Sequence, residues 1–199
     1  MVFTDRHQVG AGPTGLVLAL SLLKNGIKVR IIDKAHTYHN ASRGAGMQPR
    51  TQEIEHFLGT LSDVQAIGVL VPLMYNYDPE NSYRVKTKTP FVEVCEPSPA
   101  FPIVRSRFFS NTWRKCSLAL TILALKGSGL AVDQYLHEGI LRKHVEAHGG
   151  KVELETELSS LSQERSSVKV QLSKIVDGKE AQEAAEFSYV VGADGGHSK

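Results

Sequence analysis

The chain opens polar and then turns strongly apolar. Thr4-Asp5-Arg6-His7-Gln8 is flanked only by Val2, Phe3 and Val9. A central parallel strand is covered on both faces and needs a nearly continuous apolar run. Residues 4–8 do not meet that need, so the first strand is either very short or the true N-terminus is not here. Residues 16–25 read Leu-Val-Leu-Ala-Leu-Ser-Leu-Leu-Lys-Asn. They favour helix and are apolar almost all round, as in a helix buried against a sheet. Asn25-Gly26 ends that helix, because glycine reaches the left-handed region at little cost. Residues 27–32, Ile-Lys-Val-Arg-Ile-Ile, are rich in β-branched residues and predict a strand. Helix followed by strand, directly after a glycine-rich turn, is the second half of a βαβ unit.

Further along, residues 35–50 carry Gly44, Gly46 and Pro49 among polar positions and predict a loop. Residues 51–58 predict a short helix capped by Thr51 and closed by Gly59. From 70 to 104, short strand-like runs are broken by Pro72, Pro79, Pro90, Pro97, Pro99 and Pro102, which suits an antiparallel excursion from the main sheet. Residues 132–148 are helical in pattern, with Leu136, Ile140, Leu141 and Val145 on one face and Gly149-Gly150 as the stop. Three strands are expected after it, at 151–158, 167–172 and 186–191, with Asp177-Gly178 marking the turn between the last two.

The bulk properties narrow the class without choosing a function. The 199 residues suffice for one domain with a core, or one domain and part of another. A hydrophobic share of 41% and a charged share of 22% are those of a soluble globular protein. Net charge is +2, from 23 basic and 21 acidic residues, which gives no case for nucleic acid or an anionic membrane as partner. Cys95 and Cys116 lie far apart and form no metal-spaced cluster; two reduced thiols in an intracellular protein are the expected state. The N-terminus shows no secretory apolar segment. The longest apolar run, residues 118–125, is far short of the about 20 needed to span a bilayer. A soluble, cytoplasmic protein is expected.

The chemistry begins at Gly10-Ala11-Gly12-Pro13-Thr14-Gly15, a G-x-G-x-x-G turn. Gly10 permits the tight turn, Gly12 lets a pyrophosphate approach the backbone, and Gly15 lets helix and strand pack closely. The helix N-terminus offers free N–H groups and a positive dipole end to phosphates. Asp33 follows Gly15 by 18 residues, where a carboxylate accepts hydrogen bonds from the adenosine ribose; Lys34 beside it is counted with the cofactor-binding residues. An acid there favours the free 2′-hydroxyl of FAD or NAD over NADP, and does not separate FAD from NAD. The plainer alternative is a glycine-rich turn beginning an ordinary helix.

The segment Gly10-Ala11-Gly12-Pro13-Thr14-Gly15-Leu16 resembles the N-terminal FAD fingerprint of the group A flavin monooxygenases, the para-hydroxybenzoate and phenol hydroxylase family. Ser42-Arg43-Gly44-Ala45-Gly46-Met47-Gln48-Pro49-Arg50-Thr51-Gln52-Glu53 is similar to that family's second landmark, an arginine in a loop before a Pro-Arg-Thr helix start. Val132-Asp133-Gln134 resembles the start of its glutamine-led helix, and residues 190–198, Val-Val-Gly-Ala-Asp-Gly-Gly-His-Ser, its Asp-Gly fingerprint. The resemblance covers residues 9–104 and 132–199. It implies an α/β fold with a Rossmann-like FAD-binding domain, a parallel sheet carrying an antiparallel excursion. Its implied organisation is a βαβ unit at 1–70, substrate-domain-like strands at 71–131, and a return to the FAD domain at 132–199.

The resemblance further implies that NAD(P)H reduces bound FAD, and that one atom of O₂ is then transferred to a small aromatic, often phenolic, substrate. By residue, it places Arg43 near the ribityl-pyrophosphate region, Gln134 at the flavin, and Asp194 in the turn beside the pyrophosphate. For each a plainer reading stays open: a solvated loop arginine, an exposed helix-start glutamine, a structural Asp-Gly turn. Arg50 is equally a ligand or a surface arginine, and His197 and Ser198 belong to the turn. No catalytic residue is named.

Three features depart from the family pattern: the polar first strand, an atypical insert at 105–130, and an end at Lys199 inside the last fingerprint. Together they predict an incomplete product of a flavin monooxygenase gene, with intron-like sequence near 105–130. Two other functions stand beside this one, an NAD-dependent dehydrogenase and a non-catalytic dinucleotide-binding fragment. Substrate, choice of NADH or NADPH and oligomeric state are not written in the sequence.

Overall fold

Polar residues near the start of the chain, Arg6, His7 and Gln8, lie in the middle of a parallel sheet. In the computed structural model the described residues are 6–41, 44–70, 74–78, 84–89, 130–176 and 178–197. They divide into two units, residues 1–43 with 133–199, and residues 44–132.

In the first unit, β1 (Arg6–Val9) pairs in parallel with β2 (Val29–Ile32) on one side and β12 (Tyr189–Gly192) on the other. β8 (Val152–Glu153) extends the sheet beyond β2, also in parallel. The first strand is thus very short, one of the two expected alternatives, and what is corrected is the expectation that polar residues cannot enter it. Arg6, His7 and Gln8 do so, in a strand of only 4 residues. The two buried polar side chains are accommodated individually. The His7 ring stacks on Phe187, with centroids 4.4 Å apart, and the Gln8 amide donates to the Gly10 carbonyl at 3.0 Å.

Helix α1 (Pro13–Lys24) starts earlier than its apolar run, because Pro13 suits the first helical position and has no N–H to satisfy. It buries Gly15, Leu16, Ala19 and Leu20, a stripe at helical spacing, and Gly26 beyond its end is left-handed at φ 74°. Helix α4 (Gln134–Ala147) packs on α1. Its buried residues are His137, Glu138, Leu141 and Val145, so the face is rotated from the predicted one, and Leu136 is exposed. The rotation follows from Glu138, which is buried with partners: Gln134 donates to it at 2.8 Å, and Arg142 lies 3.8 Å away.

The predicted strand at 151–158 is two strands, β8 and β9 (Thr156–Gln163), separated at Glu155, which takes a positive φ of 52°. β9 pairs antiparallel with β10 (Val168–Val176), and β10 with β11 (Lys179–Phe187). Gly178, at φ 74°, makes the turn, but it joins β10 to β11 rather than to the strand at 186–191; Asp177 lies outside the described residues. One face of this sheet packs onto the parallel sheet: Val170, Leu172 and Phe187 form a core with Ile32, joined by Val9, Leu158, Val168, Ala185 and Val190. Each such large side chain contributes about 1.5–3 kcal/mol on burial. Arg30 of β2 ties the layers together. It makes two bonds of 2.8 Å to the Glu153 carboxylate and bonds of 2.5 and 3.0 Å to Glu183 on β11.

In the second unit, α2 (Pro49–Leu58) and α3 (Leu61–Ile67) pack together. Helix α2 begins at Pro49, so Thr51 lies inside its first turn and is not the cap; Gly59, at φ 71°, closes it as expected. The loop predicted at 35–50 contains a two-residue strand, β3 (Gly46–Met47). β7 (Leu130–Ala131) pairs antiparallel with β3 and with β4 (Val69–Leu70). β5 (Met74–Tyr77) and β6 (Val85–Thr89) form an antiparallel pair, part of the expected excursion. Residues 90–129 lie outside the described residues, and with them both cysteines, the apolar run at 118–125 and nearly all of the atypical insert. Among the described residues no helix is long and apolar enough to cross a membrane.

Candidate dinucleotide-binding site

The turn from β1 into α1 has three glycines with three different surroundings. Gly10 is at φ 97°, and a Cβ there would stand 2.4 Å from the Ala193 carbonyl oxygen. The end of β12 therefore packs directly on the turn. A Cβ on Gly15 would stand 2.1 Å from the Gly10 oxygen and 2.4 Å from the Gln8 amide nitrogen, so α1 sits on the turn with no room for a side chain. At Gly12 the same construction meets no atom within 4 Å, and the backbone faces open space.

Helix α1 presents its N-terminus without a cap. Gly12 offers no side chain, the first turn holds no acid, and the first intrahelical bond runs from Leu16 N–H to the Gly12 carbonyl at 2.9 Å. Pro13 has no N–H; those of Thr14 and Gly15 have no acceptor within the helix. An open backbone beside unused N–H groups and a positive dipole end suits a diphosphate.

Asp33 stands at the end of β2 with its carboxylate fixed. Oδ2 accepts from the Ala11 N–H at 2.8 Å and Oδ1 from the Ala35 N–H at 2.9 Å. Its own N–H donates to the Glu153 carbonyl at 2.8 Å. Asp33 lines a cleft of about 250 Å³ with Gly10, Lys34, Leu158, Leu161 and Asp194. Pockets for whole drug-sized ligands run to roughly 300–1,000 Å³, so this cleft suits one nucleoside end of a dinucleotide. The Asp33 oxygens each keep a free lone pair, which a hydroxyl can donate to.

The structure thus brings Gly10, Asp33, Lys34 and Asp194 to one cleft, with Gly12, Pro13, Thr14 and Gly15 at the turn beside it. Gln134 is elsewhere, in the first turn of α4, donating to Glu138. Arg43 lies outside the described residues. Arg50 is exposed and pairs with Glu53 at 2.7 Å on α2. His197 ends a short 3₁₀ turn, Gly195–His197. Sequence reasoning missed two contributors. The antiparallel strand β9 supplies Thr156, Glu157, Leu158 and Leu161 to the cleft. Gln8 holds the Gly10 carbonyl from below; its only signal was a polar residue in a strand that should be apolar.

Behind the turn, burial pushes the His7 imidazole down to about 4, and the positive charge of Arg30 acts in the same direction. His7 is therefore neutral at neutral pH. Hydrogen bonds from Arg30 hold the Glu183 carboxyl below its usual range, and those same bonds raise the Arg30 guanidinium further. No group of three or more metal-ligating side chains occurs among the described residues.

Comparison with known proteins gives this geometry a context. A family model described as an FAD binding domain matches residues 7–199. A flavin-dependent monooxygenase of Mycobacteroides abscessus is 31% identical over 190 residues, 95% of this chain and 34% of that protein. Pentachlorophenol 4-monooxygenase of Sphingobium chlorophenolicum is 24% identical over 193 residues, 96% of this chain and 30% of that protein. Among solved structures, p-nitrophenol 4-monooxygenase of Pseudomonas putida aligns with a TM-score of 0.74 at 17% identity, over 99% of this chain and 42% of that one. An aklavinone-11 hydroxylase, solved with FAD and aklavinone, aligns with a TM-score of 0.68 at 22% identity, over 96% of this chain and 33% of that one. The structural likenesses establish the fold. The chain spans about a third of the length of these curated relatives.

Proposed function

Because this chain belongs to the FAD-binding-domain family of flavin-dependent monooxygenases, we propose that its Gly10–Gly15 turn holds the pyrophosphate of FAD and that its chemistry is oxygen insertion into a small aromatic substrate. The observation that carries the reading is the uncapped start of α1 beside the open face of Gly12. In this reading the Thr14 and Gly15 N–H groups donate to phosphate oxygens, and Asp33 accepts from the ribose hydroxyls. Lys34 lines the cleft, where its charge draws in an anionic ligand. Asp194 orders the turn after β12. Arg43 and Gln134 serve the phosphate and flavin side.

Bound FAD supplies the redox centre that couples NAD(P)H oxidation to O₂. The protein's part is to fix its position and to keep water from the reacting atoms. The names of relatives that act on pentachlorophenol and p-nitrophenol support a phenolic substrate class. The family match also supports FAD over the NAD of a dehydrogenase.

Calorimetric titration of the chain with FAD and, separately, with NAD tests the cofactor assignment. Saturable binding of FAD and none of NAD is expected. Binding of NAD alone would return the chain to the dehydrogenases. Phenol-stimulated NAD(P)H oxidation by the FAD-loaded chain tests the activity; FAD binding without oxidation would favour a non-catalytic dinucleotide module.

A further inference from the structure

Gln8 is 1% exposed in the middle of a sheet whose neighbouring strands offer Ile31, Val190 and Val191. Burying a primary amide there is unfavourable unless the amide has work to do. Its Nε2 donates to the Gly10 carbonyl at 3.0 Å. The opposite amide orientation would set two oxygens against each other, so the assignment is fixed by chemistry. The nitrogen occupies the space left by the missing Cβ of Gly15, 2.4 Å from where that atom would stand. The Oε1 has no partner among the described residues.

The other side of the same peptide is also held. The Ala11 N–H, in the plane of the Gly10 carbonyl, donates to Asp33 Oδ2 at 2.8 Å. The Gly10–Ala11 peptide is therefore gripped at its oxygen by Gln8 and at its nitrogen by Asp33. The preceding peptide is gripped too, through Gly10 N–H to Ile32 and Ala193 N–H to the Val9 carbonyl. Asp33 is the acid that the proposed function assigns to the ribose. Each Asp33 oxygen keeps a lone pair for a ribose hydroxyl, so the same carboxylate can hold Ala11 and take up the ribose.

We propose that Gln8 is a positioning residue for the dinucleotide turn: it locks the Gly10–Ala11 peptide in the plane that aims the loop at the pyrophosphate while Asp33 engages the ribose. This rests on the FAD reading, because only a bound ribose draws on Asp33. In preorganised sites of this kind, affinity is gained by ordering the loop before the ligand arrives.

The test uses the whole chain and two readouts, with Gln8→Leu as the variant and Gln8→Met, closer in length, as its replacement should the leucine variant not fold. The first readout is hydrogen exchange at the Ala11 amide without ligand. It is expected to quicken about tenfold in the variant, the scale of one lost hydrogen bond, while melting temperature changes little, because the donor to Gly10 and the unpartnered buried Oε1 leave together. The second is FAD affinity, expected to weaken about tenfold. Unchanged Ala11 exchange together with unchanged FAD affinity would overturn the proposal. A lower melting temperature with unchanged affinity would overturn it as well, leaving Gln8 a packing residue. If the unaltered chain binds no FAD, the proposed function fails, and exchange at Ala11 still decides whether Gln8 grips the turn.

Discussion

At the scale of single residues, His7 shows how a polar side chain survives in a parallel sheet. Its ring stacks on Phe187 as an aromatic would, and both ring nitrogens are buried without a hydrogen-bond partner among the described residues. Folding keeps it neutral, with a pKa near 4 against 6.5 in the unfolded chain. Between those values the unfolded chain binds more protons, so stability is full above pH 6.5 and falls as pH drops toward 4. The loss reaches up to about 3 kcal/mol. Urea denaturation across that range is expected to show this slope. In His7→Val, which restores the apolar pattern of a central strand, the slope is expected to vanish and stability at pH 7 to rise by about 1 kcal/mol. A retained slope would assign the acid sensitivity to another group. The glycines teach the opposite lesson. Gly10, Gly12 and Gly15 were legible from spacing alone, because each answers a geometric demand. Gln8 and His7 were not, because their partners, the Gly10 carbonyl and Phe187, are revealed only by the turn and by a strand distant in sequence.

At the scale of elements, the hydrophobic pattern located α1, β2 and α4 well, found part of β9 and β10, and missed β11. β11 reads Lys-Glu-Ala-Gln-Glu-Ala-Ala-Glu-Phe, which carries little strand propensity. It forms because it pairs with β10 along its whole length and because Phe187 anchors its end. Phe187→Ala removes that anchor and the stacking partner of His7, and is expected to cost about 3–5 kcal/mol in chemical denaturation. Arg30 is the polar counterpart, holding Glu153 and Glu183 from two different sheets. Arg30→Met leaves two carboxylates close together and half-buried, and is expected to cost about 2 kcal/mol, discounted for their partial exposure. A change under half of that would mean water already satisfies both acids. The rotated face of α4 has the same lesson in miniature: Leu136 looked like core, yet the buried position went to Glu138, paired with Gln134 and Arg142.

At the scale of the whole molecule, the first unit brings a short parallel sheet, helix α1 and an antiparallel sheet together at the end of β1. The cleft there takes one wall from the Gly10 turn, one from Asp33 and Lys34 after β2, and one from Leu158 and Leu161 of β9. Sequence reasoning found the first two walls, since motif and acid sit at fixed spacing, and missed the third, since β9 contributes by packing. In the proposed function the open face of Gly12 receives a pyrophosphate. The most direct measurement is quenching of flavin fluorescence as the chain is titrated into FAD, for the unaltered protein and for Gly12→Val. Nothing stands within 4 Å of the Gly12 Cβ position, so a side chain there enters the ligand's space first. Saturable quenching by the unaltered chain is expected, and its loss in Gly12→Val while that variant stays folded. Equal quenching by the two proteins would contradict that reading.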